Sequence, residues 1–445
     1  MILSSRRRFL RQFSTGVAGV FCAPAFIRHL RAQSPNGKIH HASFGCNGMA
    51  LSDLTSIGRH PDVEMVAGCD VDLNRTTQFA AKFPNARIYQ DYRELLEKEK
   101  DLQTVNVSTP DHMHAPIGLA ALARGLHVYG QKPLTHDLAE ARKLAELAKE
   151  KNAVTQMGIQ IHSSSEYRTA VKLIQDGAIG KVKEVHLWSG KAWGDKGAKP
   201  DRVDPIPDGF DWDLWLGVCA ERPFIGQGWY HPSNWRKRLD FGTGTFGDMG
   251  CHIYDPVYGA LALTAPVSVK SEGDAPNEHS WAVDALIRYV FPGTAYTEGK
   301  TINLTWYDGV QRPPLEVQAL VLGGDVNGKA PKLPDQGSIF IGTAGAMLLP
   351  HVGKPQLHGE AADRPVVAEK GDDHWAQFVN AVKDGKKAST DFSYSGPLSE
   401  TVLLGSVATR FPNQTLTWDA PALKFTGSPE ATALVQRTYR ERKKA

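Results

Sequence analysis

Residues 38–70 read KIHHASFGCNGMALSDLTSIGRHPDVEMVAGCD, and the architecture of the chain follows from this segment. Ile39–Phe44 is a short run ending at glycine. Leu51, Leu54 and Ile57 then recur at helical spacing, and Val63–Cys69 reads as a second strand. Strand, helix and strand in so short a span predict a βαβ unit with parallel strands. Between the first strand and the helix stands Gly45-Cys46-Asn47-Gly48-Met49-Ala50. Small residues there let the backbone approach a pyrophosphate, and a helix N-terminus offers N–H donors and a favourable dipole. The run departs from G-x-G-x-x-G, because Asn47 and Ala50 replace the second and third glycines. Asp70 lies twenty residues past Ala50, where a carboxylate accepts from a ribose diol and repels a 2′-phosphate. NAD is therefore expected over NADP. The bland alternative is a tight strand–helix turn with a capping aspartate.

The alternation continues outward to about residue 160. Strands are expected at 87–89, 104–108, 127–129 and 153–157, and helices at 115–124 and 138–151. Residues 38–160 are thus predicted to form an α/β, doubly wound parallel Rossmann sheet, with ligands at the carboxyl ends of its strands. Beyond it the pattern changes. A helix is read at 166–175 and a strand at 181–188, with β-rich stretches at 282–290 and 315–322 and helices again at 374–383 and 398–407. Residues 161–440 are expected to form an α+β domain with an open, predominantly antiparallel sheet. Residues 190–245, rich in Trp, Gly and Pro, read as an ordered insertion within it.

The first residues point elsewhere. Ser5-Arg6-Arg7-Arg8-Phe9-Leu10-Arg11 precedes an uncharged, mostly small and apolar run to Ile27, with Ala32 near a plausible cleavage point. A basic start, a short apolar stretch and a small-residue exit predict a removable twin-arginine (Tat) export signal over residues 1–32, hence a periplasmic or otherwise exported protein. The run is too short and too broken by Gly and Pro24 to span a bilayer. Residues 1–32 hold six arginines and no acid, so the formal net charge of +3 becomes −3 once they are removed. Nothing in that balance suggests nucleic acid as a partner. Cys46, Cys69, Cys219 and Cys251 form no C-x-x-C pair, which argues against a zinc knuckle. Folding before export predicts buried thiols. Cys46 and Cys69 fall at adjacent strand ends, which leaves a bond between them open.

Three further stretches carry chemistry. Ser108, Thr109, Pro110, His112 and His114 follow the fourth strand and are expected to line the cofactor. Gln131-Lys132-Pro133 follows the fifth. Asp248 and His252 stand at i and i+4 of a predicted helix and so share a face. With these motifs the chain resembles the glucose–fructose oxidoreductase / inositol dehydrogenase / rhizopine catabolism superfamily, Gfo/Idh/MocA, over nearly all of residues 38–440. It is most similar to exported bacterial members with a Trp-rich insertion. The resemblance implies a Rossmann domain followed by an α+β domain whose open sheet packs on another subunit, giving a dimer or tetramer. The family's Glu-Lys-Pro signature matches residues 131–133 with Gln in place of Glu, and its lysine is catalytic, so Lys132 inherits that role and a place beside the cofactor. Losing the Glu removes a charge near that lysine. The D-x-x-x-H signature matches Asp248 and His252. A base with a pKa near working pH suits His252, and Asp248 would hold the substrate or orient a donor.

In the insertion, Tyr230, His231 and Arg236 are expected to contact substrate because they lie just before this helix. Trp212 and Trp215 read as structural. The predicted cofactor-lining set is Gly45, Asn47, Gly48, Met49, Asp70, Ser108, Thr109, Pro110, His112, His114 and Lys132, with no metal. The expected activity is NAD-dependent oxidation of a hydroxyl on a sugar, polyol or glycoside. Free NAD is scarce outside the cytoplasm, so the nucleotide would be retained and recycled. The competing readings are a redox-neutral glycosidase or lyase, a non-catalytic sugar-binding protein, and a metal hydrolase built on His112, His114, Asp248 and His252.

Overall fold

The computed structural model describes residues 37–323 and 331–441, so the predicted export signal lies outside the described residues. The N-terminal part alternates β1 (Ile39–Phe44), α1 (Met49–Gly58), β2 (Val63–Cys69), α2 (Thr77–Lys82), β3 (Arg87–Tyr89), α3 (Tyr92–Lys98), β4 (Thr104–Val107), α4 (His114–Ala123), β5 (His127–Gly130), α5 (Leu138–Glu150) and β6 (Thr155–Met157). All six strands pair in parallel in the order β3-β2-β1-β4-β5-β6, the doubly wound arrangement. β4 is buried at every residue, as a strand covered on both faces should be.

Register places the ligand edge. Phe44 pairs with Cys69 on one side and Val107 on the other, and Val107 pairs with Gly130. The residues that follow, Gly45, Asp70, Ser108 and Gln131, therefore leave the sheet along one line. The order reverses between β2 and β4 on either side of β1, so this line runs past the switch point.

The second part contains α6 (Ser165–Gln175), β7 (Val182–Ser189), α7 (Trp212–Leu216), α8 (Gly244–Ala260), β8 (Ser268–Ser271), β9 (Leu286–Pro292), β10 (Thr301–Asp308), α9 (Leu315–Ala319), β11 (Gln336–Gly342), β12 (Gly345–Pro350), β13 (Gln356–His358), α10 (His374–Asp384), α11 (Phe392–Ala408), β14 (Thr415–Asp419), β15 (Lys424–Thr426) and α12 (Pro429–Ala433). Nine strands form an open sheet in the order β13-β12-β11-β7-β10-β9-β8-β14-β15. Only β7 and β10 pair in parallel; the other pairs of this sheet are antiparallel. Ile287, Tyr289 and Phe291 of β9 are fully buried, and the residues between them are not. That period of two marks a sheet with one covered face.

One stretch corrects the sequence reading. Residues 315–322 are not β-rich: they open with α9, whose N-cap is Pro314. Proline lacks an N–H and so favours the edge of an element over the middle of a sheet, and Val317 in the helix and Val321 just past its end are both buried. The apolar run imitated a strand. The four described cysteines are buried and free, so Cys46 and Cys69 are not bonded. No helix of the described residues is long and apolar enough to cross a membrane.

Candidate active site

The cleft lies between the carboxyl edge of the six-stranded sheet, α8, the insertion and the β11–β12 side of the second sheet. Its volume is about 570 Å³. At one end is the β1–α1 turn. Gly45 has φ +96, and a Cβ there would stand 2.7 Å from the Ser108 carbonyl oxygen, so only glycine lets the turn close against β4. Gly48 caps α1 with φ +58 and contributes no side chain to the helix end. Asn47 braces the turn: its Oδ1 accepts from the Gly48 amide at 2.7 Å and from Arg75 Nη2 at 3.0 Å. Asn47 in place of glycine thus ties the turn to the segment after β2. Asp70 lines the cleft, yet its carboxylate is half-buried and accepts from the Cys46 and Asp72 amides, each at 3.0 Å. Burial raises its pKa against those two bonds. A glycine turn that a side chain would obstruct, an uncapped helix start and an aspartate at the end of β2 fit a dinucleotide. Gly45, Gly48 and Met49 would face its phosphates, and Asp70 the ribose.

Ser108, Thr109, Pro110, His112 and His114 all line the same cleft. The two histidines serve the wall more than the ligand. His112 donates from Nε2 to the Trp215 carbonyl at 2.8 Å, and the His114 ring nitrogens face the Pro133 and Thr109 carbonyls, each at 2.8 Å. Burial takes His112 down to about 3 and lowers His114 as well. His112 Nε2 and both His114 nitrogens are engaged with backbone, His112 Nδ1 is buried without a partner, and no group of three or more His, Cys, Asp or Glu side chains among the described residues is placed to hold a metal. The donor set for a metal hydrolase is not assembled.

At the other end, Asp248 is a node. Its Oδ1 accepts from Lys132 Nζ at 2.6 Å and lies 3.4 Å from Arg236 Nε. Its Oδ2 accepts from Trp193 Nε1 at 2.9 Å and Lys191 Nζ at 3.2 Å. Lys132 also donates to the Asp248 carbonyl at 2.7 Å. Burial alone would push the Asp248 pKa up; the charges of Lys132, then Arg236 and Lys191, outweigh it and hold the carboxylate far below its ordinary range. One turn further along α8, His252 also lines the cleft, and its Nδ1 has no protein partner. Burial first, then the charge of Lys132 and the neighbouring His351, hold it well below the ordinary histidine value. This corrects the expectation of a pKa near working pH: the imidazole is firmly uncharged. His351, just after β12, has its ring 5.4 Å from that of His252 and accepts from or donates to Tyr167 Oη at 2.9 Å. Burial and the Lys191 charge take it down to about 4.

The residues nominated from the insertion divide. Arg236 joins the Asp248 node. His231 lines the cleft at its nucleotide end, stacked on Phe210 and bonded to Asp72 Oδ2 at 3.0 Å, away from the Lys132–Asp248 pair. Tyr230 is not a cleft residue: it is buried among Trp212, Trp215, Phe241 and Trp229. It was chosen for proximity in sequence, but the insertion needs its ring for a core of its own. Trp212 and Trp215 stack there with centroids 4.8 Å apart. Sequence reasoning missed Lys191, Trp193 and His351 as site residues. Lys191 and Trp193 follow the carboxyl end of β7, a position that carries a signal; His351 carries none. Asp53 was also missed. Buried on α1, it accepts from Gln131 Nε2 and Ser108 Oγ, both at 2.8 Å, and from Trp375 Nε1 at 3.0 Å.

Comparison with known proteins agrees with this geometry. Residues 39–159 match the model described as oxidoreductase family, NAD-binding Rossmann fold, and residues 164–312 match the C-terminal alpha/beta domain of the same family. The dTDP-3,4-didehydro-2,6-dideoxy-alpha-D-glucose 3-reductase of Streptomyces antibioticus is 30% identical over 152 residues, covering 34% of this chain and 46% of that protein. The levoglucosan dehydrogenase of Pseudarthrobacter phenanthrenivorans is 26% identical over 146 residues, covering 33% of this chain and 36% of that protein. The chain thus spans under half the length of these relatives. Among solved structures, the WlbA dehydrogenase of Bordetella pertussis, in complex with NADH and UDP-GlcNAcA, superposes with a TM-score of 0.59 at 14% identity over 86% of this chain and 99% of that one. A cleft built at the switch point of a Rossmann sheet, closed by helix α8 bearing Asp248 and His252 and by the mixed sheet, and two successive domain matches lead to one assignment: the chain belongs to the Gfo/Idh/MocA oxidoreductase family.

Proposed function

We propose that the protein is an NAD-dependent oxidoreductase acting on a hydroxyl-bearing carbon of a sugar, polyol or glycoside. The observation that carries this is the pairing of Lys132 with an uncharged His252 across Asp248. Two of the three Lys132 donors are committed to Asp248, which fixes the ammonium and leaves one N–H for a substrate oxygen. That donor polarises the hydroxyl and stabilises negative charge developing on its oxygen. His252, uncharged and lining the cleft one turn from Asp248, takes the hydroxyl proton. NAD supplies the hydride acceptor when bound. The names of the sugar-nucleotide reductase, the levoglucosan dehydrogenase and an inositol 2-dehydrogenase of Salmonella typhimurium, 31% identical over 127 residues, support a sugar-like substrate.

Export through the Tat machinery to the periplasm, a retained and recycled nucleotide, and assembly of a homo-oligomer through the open face of the nine-stranded sheet belong to the same proposal. The twin arginines at the start of the chain support the first, and scarcity of free NAD outside the cytoplasm the second. The one-sided burial of β9 supports the third. A redox-neutral glycosidase or lyase is favoured by one observation: His351 gives the cleft a second uncharged imidazole, which could take the proton from the carbon beside a transient ketone.

The test is direct. Purified exported protein is denatured and its released nucleotide quantified by mass spectrometry. Near-stoichiometric NAD is expected. NADP would contradict the role given to Asp70, and no nucleotide, with none binding on addition, would overturn the enzyme reading in favour of a sugar-binding protein. Lys132→Ala and His252→Ala should each abolish turnover while keeping the nucleotide; retained turnover sinks their assignments.

A further inference from the structure

The charges at the substrate end of the cleft do not cancel. Lys132, Lys191 and Arg236 line it against two carboxylates, Asp248 and Asp111. Asp111 is engaged elsewhere, accepting from Thr243 Oγ1 at 2.7 Å. Asp248 is saturated by Lys132, Arg236, Trp193 and Lys191. One positive charge is left over.

The excess is presented by a fixed group. Arg236 comes nearest to Asp248 through Nε, at 3.4 Å, and among the described residues its two terminal nitrogens make no hydrogen bond to protein. Its guanidinium lies 4.3 Å from the centroid of the Trp235 ring and 5.6 Å from that of Trp193. Trp193 is itself pinned to Asp248, and Trp235 is buried in the insertion core. Two indoles and one carboxylate thus hold the guanidinium at the wall of the cleft, with its terminal nitrogens unpartnered. A guanidinium edge with two parallel N–H donors matches a carboxylate in bidentate fashion, and fixing it beforehand removes an ordering cost from binding.

We infer that the substrate carries a carboxylate, bound by the terminal nitrogens of Arg236 with Lys191 beside it: an acidic sugar or its glycoside, a hexuronoside, rather than a neutral one. The inference rests on the sugar-oxidoreductase reading and narrows it. A neutral hexose would leave the surplus cation and its terminal nitrogens without a partner in a largely enclosed site. A single carboxylate cancels one charge, which is the excess present. It also offsets the cations that disfavour a protonated His252, so the base gains strength when its substrate arrives.

The experiment uses the full exported protein with the nucleotide it retains. Methyl glucuronoside, galacturonoside and mannuronoside are each compared with the methyl glucoside, galactoside and mannoside of the same anomeric form. Binding is read from quenching of tryptophan fluorescence, and turnover from reduced-nicotinamide absorbance. At least one uronoside is expected to bind roughly 100-fold more tightly than its neutral partner. Arg236→Met should collapse that ratio towards one, with Arg236→Lys between. Retained nucleotide and an unchanged unfolding temperature certify that each variant is folded. Equal or better binding of the neutral sugars, no binding of any uronoside, or a folded Arg236→Met protein that keeps the full ratio overturns the inference. If neutral sugars reduce the nicotinamide, the oxidoreductase reading survives that loss; if the protein neither holds nor binds a nucleotide, the reading itself fails.

Discussion

Gln131 stands where the family signature has glutamate, and the residue it touches accounts for the change. Its Nε2 donates to Asp53, a carboxylate buried on α1 that also receives Ser108 and Trp375. The acid missing at 131 is present at 53, and the acid that faces Lys132 is Asp248. Burial lifts Asp53 to about 6, above its ordinary 3.8, so its contribution to stability is fullest below 3.8 and is lost as pH rises through 6. Gln131→Glu would put two buried carboxylates in contact, so one must hold a proton. It should cost about 2 kcal/mol of unfolding free energy near neutral pH, and less in acid. Asp53→Asn in the same chain should restore most of it, a double-mutant cycle read by denaturant melts; additive losses would refute the pairing. His252 makes the second residue-scale prediction. The groups facing it are Lys132, Lys191, His351 and Asp248. Its depressed pKa keeps the base uncharged as pH falls through 6.5, so the acid limb of kcat/KM should lie below that value. Lys191→Met removes a cation and should move the limb to higher pH. His252→Gln should lower kcat roughly a hundred- to ten-thousand-fold. An acid limb at or above 6.5 in the parent protein would contradict the uncharged imidazole.

Among the elements, the β1–α1 turn was the most legible, because glycine positions between a strand and a helix carry a backbone requirement that sequence alone displays. Gly45→Ala would force a Cβ to 2.7 Å from the Ser108 carbonyl at φ +96, so the turn must open from β4. A loss of roughly 2–3 kcal/mol is expected, with a purified protein depleted in nucleotide; a full nucleotide complement would show that the turn does not govern binding. The α8 pair Asp248 and His252 was legible for a related reason, since i and i+4 fix a shared face. The second sheet was not. Its inner strand β7 takes β10 and β11 as neighbours, more than a hundred residues away, and no local period announces such partners. The same distance hid His351, which reaches His252 only because β12 lies two strands from β7. Residues 315–322 misled because a short apolar run fits strand and helix alike until the prolines before it are weighed. Tyr230 misled because closeness in sequence to α8 was taken for closeness to the cleft.

At the scale of the whole molecule, the boundary near residue 160 divides the sequence more sharply than it divides the structure. α10 returns to the Rossmann sheet: Phe378, Val379 and Val382 pack with Ile57, Val63 and Tyr129, and Lys383 pairs with Asp62. α11 packs on α5 and on α8, and one continuous apolar core holds Val105, Leu138 and Leu144 from the first sheet's layers together with Leu187, Tyr254, Trp306, Leu398 and Val402. Each half therefore lends the other part of its interior. A fragment of residues 37–160 would expose the faces that α10 and α11 cover, and burying apolar surface is the main term that offsets chain entropy. The full protein should accordingly unfold in one calorimetric transition, with calorimetric and van't Hoff enthalpies equal, and the fragment should lack a cooperative melt. Phe378→Ala, more than two hundred residues past the last Rossmann strand, should destabilise the whole molecule by about 3–4 kcal/mol and lower its nucleotide content. Two separable transitions, with Phe378→Ala shifting neither the first nor the nucleotide content, would show that the cleft is held by two independent bodies rather than by a shared core. A shared core is what the Asp248 node requires. Lys132 from the turn after β5 and Asp248 from α8 meet at 2.6 Å only while the two halves keep their places, so the contact that organises the chemistry is also a contact between the halves.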